Sequence, residues 1–389
     1  MRNMSTRPGI DTLLADPARL KGRHVGIVTN QTGFTGDARQ SAVDALAALP
    51  GVTLAALFGP EHGVRGDVQD ALAIDHSIDA ATGAPVYSLY GETKQPKPEW
   101  LKAIDLLIYD IQDVGCRYYT YLNTLGYMMQ AAEAQGIEML VLDRPNPING
   151  LDVEGPILAS GISSFVGMYP IPVRHGLTIG ELALFLRDTR YPGCSVDVSR
   201  MTGWRRHFYF DDTGLPWFTP SPNLPTLDCA VVYPGLCLFE GTNLSEARGT
   251  THPFEWFGAP WVDAPALARD LNSRNIPGAA FRPVYFEPTY SKHLGVRCAG
   301  VQTHVTDRAL FRPFSAGLHA VDAVMRLHPD DFAFLPASWE GRNPHFDLLS
   351  GDARIREGLI ARAPITEIIA LHAADEADWR KRKKRWHLY

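Results

Sequence analysis

His24-Val25-Gly26-Ile27-Val28-Thr29 is a short apolar run that passes directly into Asn30-Gln31-Thr32-Gly33. Six residues, four of them β-branched, closed off by turn formers, suit a strand covered on both faces better than a helix. The same pattern returns at 53–58, 86–90, 106–111, Glu138–Leu142 and 195–199. Helix-spaced segments fall between these runs, near 41–49, 98–103, 120–135 and 178–187. In the last of these, Thr178 stands three residues before Glu181, the spacing of a capping box. Near-continuous apolar strands alternating with helices predict an α/β fold around a parallel sheet, with right-handed crossovers.

The character of the chain changes between residues 204 and 260, where TGLPWFTPSPNLPTL and YPGLCLFEGTN are dense in proline and glycine. A long irregular stretch in an ordered enzyme usually builds a site. A smaller α+β pattern follows, with helices near 265–272 and 312–327 and strands near 280–286 and 300–305. The expected division is 1–260 and 261–389.

Composition narrows the function. The 389 residues are 45% hydrophobic and carry a net charge of −6, which disfavours a nucleic-acid binder. The basic run at 380–385 reads as a solvated helix end. The five cysteines are an odd number and none forms a CxxC pair, so neither a disulfide framework nor a structural zinc site is expected. The start has no apolar signal core, and no stretch nears the roughly 18 apolar residues of a membrane span. The expectation is a cytoplasmic protein; an exported form with a trimmed signal would read the same.

Ligands of open α/β sheets bind beyond the carboxyl ends of the strands. Here each strand end is polar: Asn30 and Gln31; Glu61 and His62, with Arg65 beyond; Glu92; Asp110 and Asp113, with Arg117 and Tyr118; Asp143 and Asn146. Neither GxGxxG nor a Walker A motif is present, so no nucleotide cofactor is expected. Further polar groups are Glu154, Arg174, His175, Glu240, Asn243, Glu246 and Arg248. Tyr87, Tyr90, Tyr118, Tyr119, Tyr121, Trp217, Phe239, Phe254 and Trp256 lie among them. Aromatic faces beside Asn, Asp and Arg suit a sugar, although core packing is the ordinary role of any one such ring. Paired carboxylates would supply acid–base chemistry at a glycosidic bond. The histidines match no tight metal-ligand spacing, so no metal site is expected, and Cys116 reads as a buried structural thiol.

The stretches GIVTNQTG, LFGPEHGVRGD, PVYSLYGET, DIQDVGCRYYTY, VLDRPNPING, VEGP, PIPVRHGLTIGELA, GLPWFTPSPNLPTLD, YPGLCLFEGTNLSEARGTTHPFE and GVQTHVTDR together resemble the exo-β-N-acetylmuramidases of peptidoglycan turnover. They span nearly the whole chain. The resemblance implies a Rossmann-like N-terminal domain, a smaller C-terminal domain and an active-site cleft between them. It also implies removal of a non-reducing-terminal N-acetylmuramic acid without a cofactor.

On the residues themselves, Glu92 is the leading candidate for the general acid and Glu61 for the second carboxylate. Asp110, Asp113 and Glu240 are reserves. Arg65, Arg117, Arg174 or Arg248 would pair with the lactyl carboxylate of muramic acid, since a guanidinium binds carboxylate bidentately. Asn30, Gln31, His62, Asn146, His175 and Asn243 are candidate hydroxyl partners. Tyr118, Glu154 and Glu246 complete the binding set. Two other readings use the same residues: a metal-assisted hydrolase or amidase, and a cell-wall sugar-binding module without activity.

Overall fold

The computed structural model describes residues 6–61, 63–66, 77–90, 93–337 and 343–389. Seven strands form the main sheet: β1 (His24–Thr29), β2 (Thr53–Gly59), β3 (Ser77–Ile78), β4 (Pro85–Ser88), β5 (Leu106–Asp110), β6 (Glu138–Leu142) and β7 (Val196–Ser199). Their order is β3-β4-β2-β1-β5-β6-β7. All neighbours are parallel except the edge pair β3 and β4. The chain builds leftward from β1 to β4, then returns to place β5 on the other side of β1. Ile27 therefore faces Leu57 on one side and Ile108 on the other.

The apolar runs are continuous because successive residues serve opposite cores. Leu106 and Ile108 pack with Val25, Ile27 and Leu57 under α1 (Gly9–Ala15) and α2 (Ala42–Ala47). Leu107 and Tyr109 pack with Val28 and Phe58 on the other face, which α4 (Tyr121–Gln135) and α5 (Ile179–Thr189) cover. A short helix, α3 (Pro98–Leu101), leads into β5. The capping box at α5 forms: Thr178 Oγ1 accepts from Glu181 N, and Glu181 Oε2 accepts from Thr178 N at 3.1 Å.

The second unit holds α6 (Leu227–Leu236), β8 (Trp256–Ala259), α7 (Ala264–Ser273), β9 (Ala279–Phe286), β10 (Cys298–Val305) and α8 (Pro313–Leu327). Its antiparallel sheet runs β8-β10-β9. Phe257, Leu267, Val301 and Val321 join the same apolar cluster as Leu107 and Tyr109, so the two units share a core. Four helices close the chain: α9 (His345–Ser350), α10 (Ala353–Ile360), α11 (Ile365–Ala370) and α12 (Ala373–Arg382).

Two sequence expectations need correction. Residues 204–260 are not irregular throughout, because α6 and β8 lie within them. Cys229 to Leu236 are all buried, so α6 is apolar all round and shows no amphipathic period. The basic run at 380–385 is solvated at five of its six positions. Lys383 is the exception, buried at the end of the chain's last helix and donating to Gly150 O, Leu151 O and Gly176 O. No helix among the described residues is long and apolar enough to cross a membrane.

Candidate active site

A cavity of about 430 Å³ opens between the carboxyl ends of the parallel strands and the second unit. That volume is ample for a monosaccharide, since small-molecule sites span roughly 300–1,000 Å³. The sheet side supplies Glu61 after β2, Tyr90 after β4, and Tyr118, Tyr119, Thr120 and Tyr121 between β5 and α4. The 204–260 segment supplies Ser221, Asn223, Leu224, Tyr233, Glu240, Glu246, Arg248 and Phe254. Phe165, Val166, Tyr290, Ser291, Lys292, Leu335 and His345 complete the lining.

A charge cluster fixes the wall of the second unit. Arg248 Nη2 donates to Glu240 Oε1, and Arg248 Nε lies 3.1 Å from Glu246 Oε1. Lys292 Nζ lies 2.9 Å from Glu246 Oε2 and donates to Phe239 O at 2.6 Å and Thr242 O at 2.9 Å. Two hydrogen bonds and an ion pair to the protein's own groups make Lys292 a strut. His345 Nε2 stands 3.7 Å from Glu240 Oε2. Burial opposes the charge on Glu240, but Arg248 and His345 outweigh it and hold the carboxyl well below its ordinary range. Glu240 is consequently an anion and not a proton donor near neutrality.

Of the residues named from sequence, this cavity brings together Glu61, Glu240, Glu246 and Arg248 with the aromatics Tyr90, Tyr118, Tyr119, Tyr121 and Phe254. Glu92 and His62 lie outside the described residues. The others are engaged elsewhere. Asp110 is buried and takes both its hydrogen bonds from Arg144, at 2.6 and 2.9 Å. Asp113 is buried with Oδ2 accepting from Gly115 N at 2.7 Å, and burial pushes its carboxyl up to about 7. Asn30 shapes its own turn by accepting from Thr32 N at 2.9 Å and Thr32 Oγ1 at 2.6 Å. Gln31 donates to the carbonyls of Thr219 and Pro220. Asn146 braces the chain through Leu177 O and Ile148 N.

The arginines divide in the same way. Arg65 is paired with Asp79 at 2.6 Å and Asp44 at 2.9 Å. Arg117 is completely buried and donates to four carbonyls, those of Pro156, Ile171, Leu349 and Ser350. Arg174 is buried against Glu154 at 3.2 Å, and Glu154 also accepts from Phe314 N at 3.0 Å. These three arginines and Glu154 are therefore internal ties. His175 is buried, accepts from Leu177 N, and is held neutral with its pKa pushed down to about 3 by burial. Asn243 bridges Asp331 O and Ala333 N. Among the aromatics, Tyr87 stacks on Trp100 and Phe239 on Phe257, outside the cavity.

Sequence reasoning passed over Phe165, Asn223, Tyr290, Lys292 and His345. Asn223 stood within a quoted stretch, TPSPNLP, and was within reach. Lys292 sits in a polar loop and His345 opens α9, with nothing local to mark either as a site residue. Among the described residues no three His, Cys, Asp or Glu side chains are grouped to hold a metal. All five cysteines are buried and free.

Residues 25–228 match the family model described as the N-terminal domain of the exo-β-N-acetylmuramidase NamZ, and residues 231–389 match its C-terminal domain. The chain belongs to the NamZ family. The two NamZ models meet near residue 230, inside α6, whereas the boundary read from sequence stands near 260. A curated relative, the peptidoglycan β-N-acetylmuramidase NamZ of Bacillus subtilis (strain 168), is 47% identical over 382 residues, covering 98% of this chain and 91% of that protein. Two crystal structures of DUF1343 family proteins from Bacteroides fragilis NCTC 9343 share the fold. One is 40% identical with a TM-score of 0.91, the other 31% identical with a TM-score of 0.77, and each comparison covers 99% of both chains.

Proposed function

We propose that this NamZ-family chain is an exo-acting glycoside hydrolase that removes N-acetylmuramic acid from the non-reducing end of peptidoglycan fragments. The observation that carries the reading is the pair of opposed walls in one sugar-sized cavity. Glu61 stands on the sheet side, and Glu240, held ionised by Arg248, stands on the other. An ionised Glu240 leaves proton donation to the sheet side. Glu92 takes that role; in the chain it stands two residues after Tyr90, which lines the cavity. Glu61 orients the acetamido group or a water, and Glu240 stabilises positive charge developing at the anomeric carbon. Arg248, alone of the four arginines named from sequence, borders this space and is the partner for the lactyl carboxylate. The reaction needs no cofactor, and a cytoplasmic site of action remains part of the proposal.

The test is nitrophenol release from para-nitrophenyl β-N-acetylmuramic acid and from its N-acetylglucosamine analogue, with and without EDTA. Release selective for the muramic substrate and indifferent to EDTA supports the proposal. Release abolished by EDTA assigns the chain to metal-assisted hydrolysis. Binding of the sugar without release assigns it to a binding module. Glu92→Gln should lower kcat by about 10²–10⁴-fold with folding intact, and near-normal turnover would remove Glu92 from the role.

A further inference from the structure

The second unit's wall of the cavity ends in a loop, residues 288–296, between β9 and β10. Gly295 N donates to Pro288 O at 2.8 Å and closes the loop's base. Thr289 Oγ1 donates to Gly249 O at 2.5 Å, and His293 Nε2 lies 2.8 Å from Asn243 O. Lys292 pins the middle through Phe239 O and Thr242 O. Ser291 and His293 adopt φ values of +65° and +58°, a region unfavourable for residues that carry side chains. The ties therefore hold the loop in a conformation that it would not keep alone. The loop also rests directly on the residue after Arg248: a Cβ on Gly249 would stand 2.6 Å from Thr289 Oγ1 and 2.8 Å from Tyr290 N.

This rigid loop presents Tyr290. Tyr290 is among the residues that line the cavity and is 45% exposed, which places it at the mouth. Tyr285, in β9, has the Arg297 guanidinium 5.3 Å from its ring centre, and Phe165, another aromatic of the lining, has Lys94 3.7 Å from its ring centre. Among the described residues no ring or cation covers Tyr290. An enzyme that takes the terminal sugar into the cavity must let the remainder of the glycan leave through the mouth. A pyranose has an apolar C–H face that packs on an aromatic ring, and a preorganised ring binds it at little cost in ordering.

We infer that Tyr290 forms the subsite for the first sugar ring on the leaving-group side of the cleaved bond, a hexosamine whose apolar face stacks on the phenol ring. The inference rests on the glycosidase reading above and deepens it. Tyr290 is a specificity determinant here and takes no part in the bond-breaking step.

The experiment compares the full chain with Tyr290→Ala and Tyr290→Phe on two substrates. One is the disaccharide N-acetylmuramyl-β-1,4-N-acetylglucosamine. The other is the methyl β-glycoside of N-acetylmuramic acid, which has no second ring. Tyr290→Ala should lower kcat/KM on the disaccharide by about tenfold or more, chiefly through KM, and change the methyl glycoside by less than about threefold. Tyr290→Phe keeps the ring and should stay near wild type on both. If wild type is active and Tyr290→Ala loses both substrates equally, or loses neither, the subsite assignment is overturned. If wild type releases N-acetylmuramic acid from neither substrate, the glycosidase reading falls, and the subsite falls with it.

Discussion

Arg144 donates to both carboxylate oxygens of Asp110, through Nε at 2.6 Å and Nη2 at 2.9 Å, with both residues buried at the ends of β6 and β5. Arg144 Nη2 also reaches Phe34 O at 2.9 Å. The crevice where the strand order reverses, beside β1 and β5, is the usual ligand site of such a sheet. Here the chain's own ion pair occupies it, and the cavity lies toward the second unit. Arg144→Met would leave a buried carboxylate without compensation and should cost about 3–5 kcal/mol of stability. Denaturant unfolding measures this. The double variant Arg144→Met, Asp110→Leu should recover most of the loss, and a single variant within 1 kcal/mol of wild type, on the order of a surface change, would contradict the assignment.

Glu240 should tolerate substitution structurally but not functionally. Arg248 keeps Glu246 as a partner when Glu240 becomes glutamine. We expect Glu240→Gln to lower kcat by about 10²–10³-fold, the scale for removing one fixed electrostatic contact to a transition state. The folded carboxyl lies below its ordinary value of about 4.3. Its ion pair thus contributes stability above that pH and loses it as acid protonates the folded form. Glu240→Gln should flatten the acid limb of the stability curve. A variant with full activity would remove Glu240 from the machinery.

Asp113 supplies a pH dependence of opposite sign. Burial raises its folded pKa to about 7, against about 3.9 in an unfolded chain. Between those values the folded protein holds a proton that the unfolded chain releases, so this group's contribution falls as pH rises from about 4 to 7. His175 adds no compensating charge, because it stays neutral with Nε2 3.8 Å from Asp113 Oδ2. Asp113→Asn should therefore gain stability relative to wild type between pH 5 and pH 8, measured by urea unfolding across that range. A difference independent of pH would show that Asp113 does not titrate there.

Lys383 predicts a third profile. Its ammonium donates to Gly150 O at 2.5 Å, Gly176 O at 3.0 Å and Leu151 O at 3.2 Å, while burial lowers its pKa to about 7. An unfolded lysine titrates near 10.4. Between those values the unfolded chain binds the extra proton, so wild type gains stability as pH rises from about 7 to 10. Lys383→Met should lack that rise. Thermal melts of both proteins at pH 7 and pH 9.5 make the comparison, and parallel curves would sink it.

Some features were legible because their cause is local. Strands β1, β2, β5 and β6 follow from short apolar runs whose alternate residues feed two cores. The Thr178–Glu181 cap follows from a three-residue spacing. Helix α6 was missed because a helix buried on every side has no polar face to mark its period. The polar strand ends were read together as one site, yet folding separated them. Asn30 completes a turn, Asp110 finds Arg144, and Arg117 spends its guanidinium on four carbonyls.

The sequence by itself determined the fold class, the polar strand ends and the membership that its motifs carry. The tertiary structure alone decided which polar groups share a cavity. Arg117 and Arg248 are the same side chain, each named from sequence as a partner for a carboxylate. One is tied to Leu349 and Ser350, more than 230 positions away, and the other borders a sugar-sized space with Glu240. Periodicity and capping act over a few residues and can be read from order along the chain. Desolvation and ion pairing depend on partners brought together only when the sheet and the second unit close on a common core.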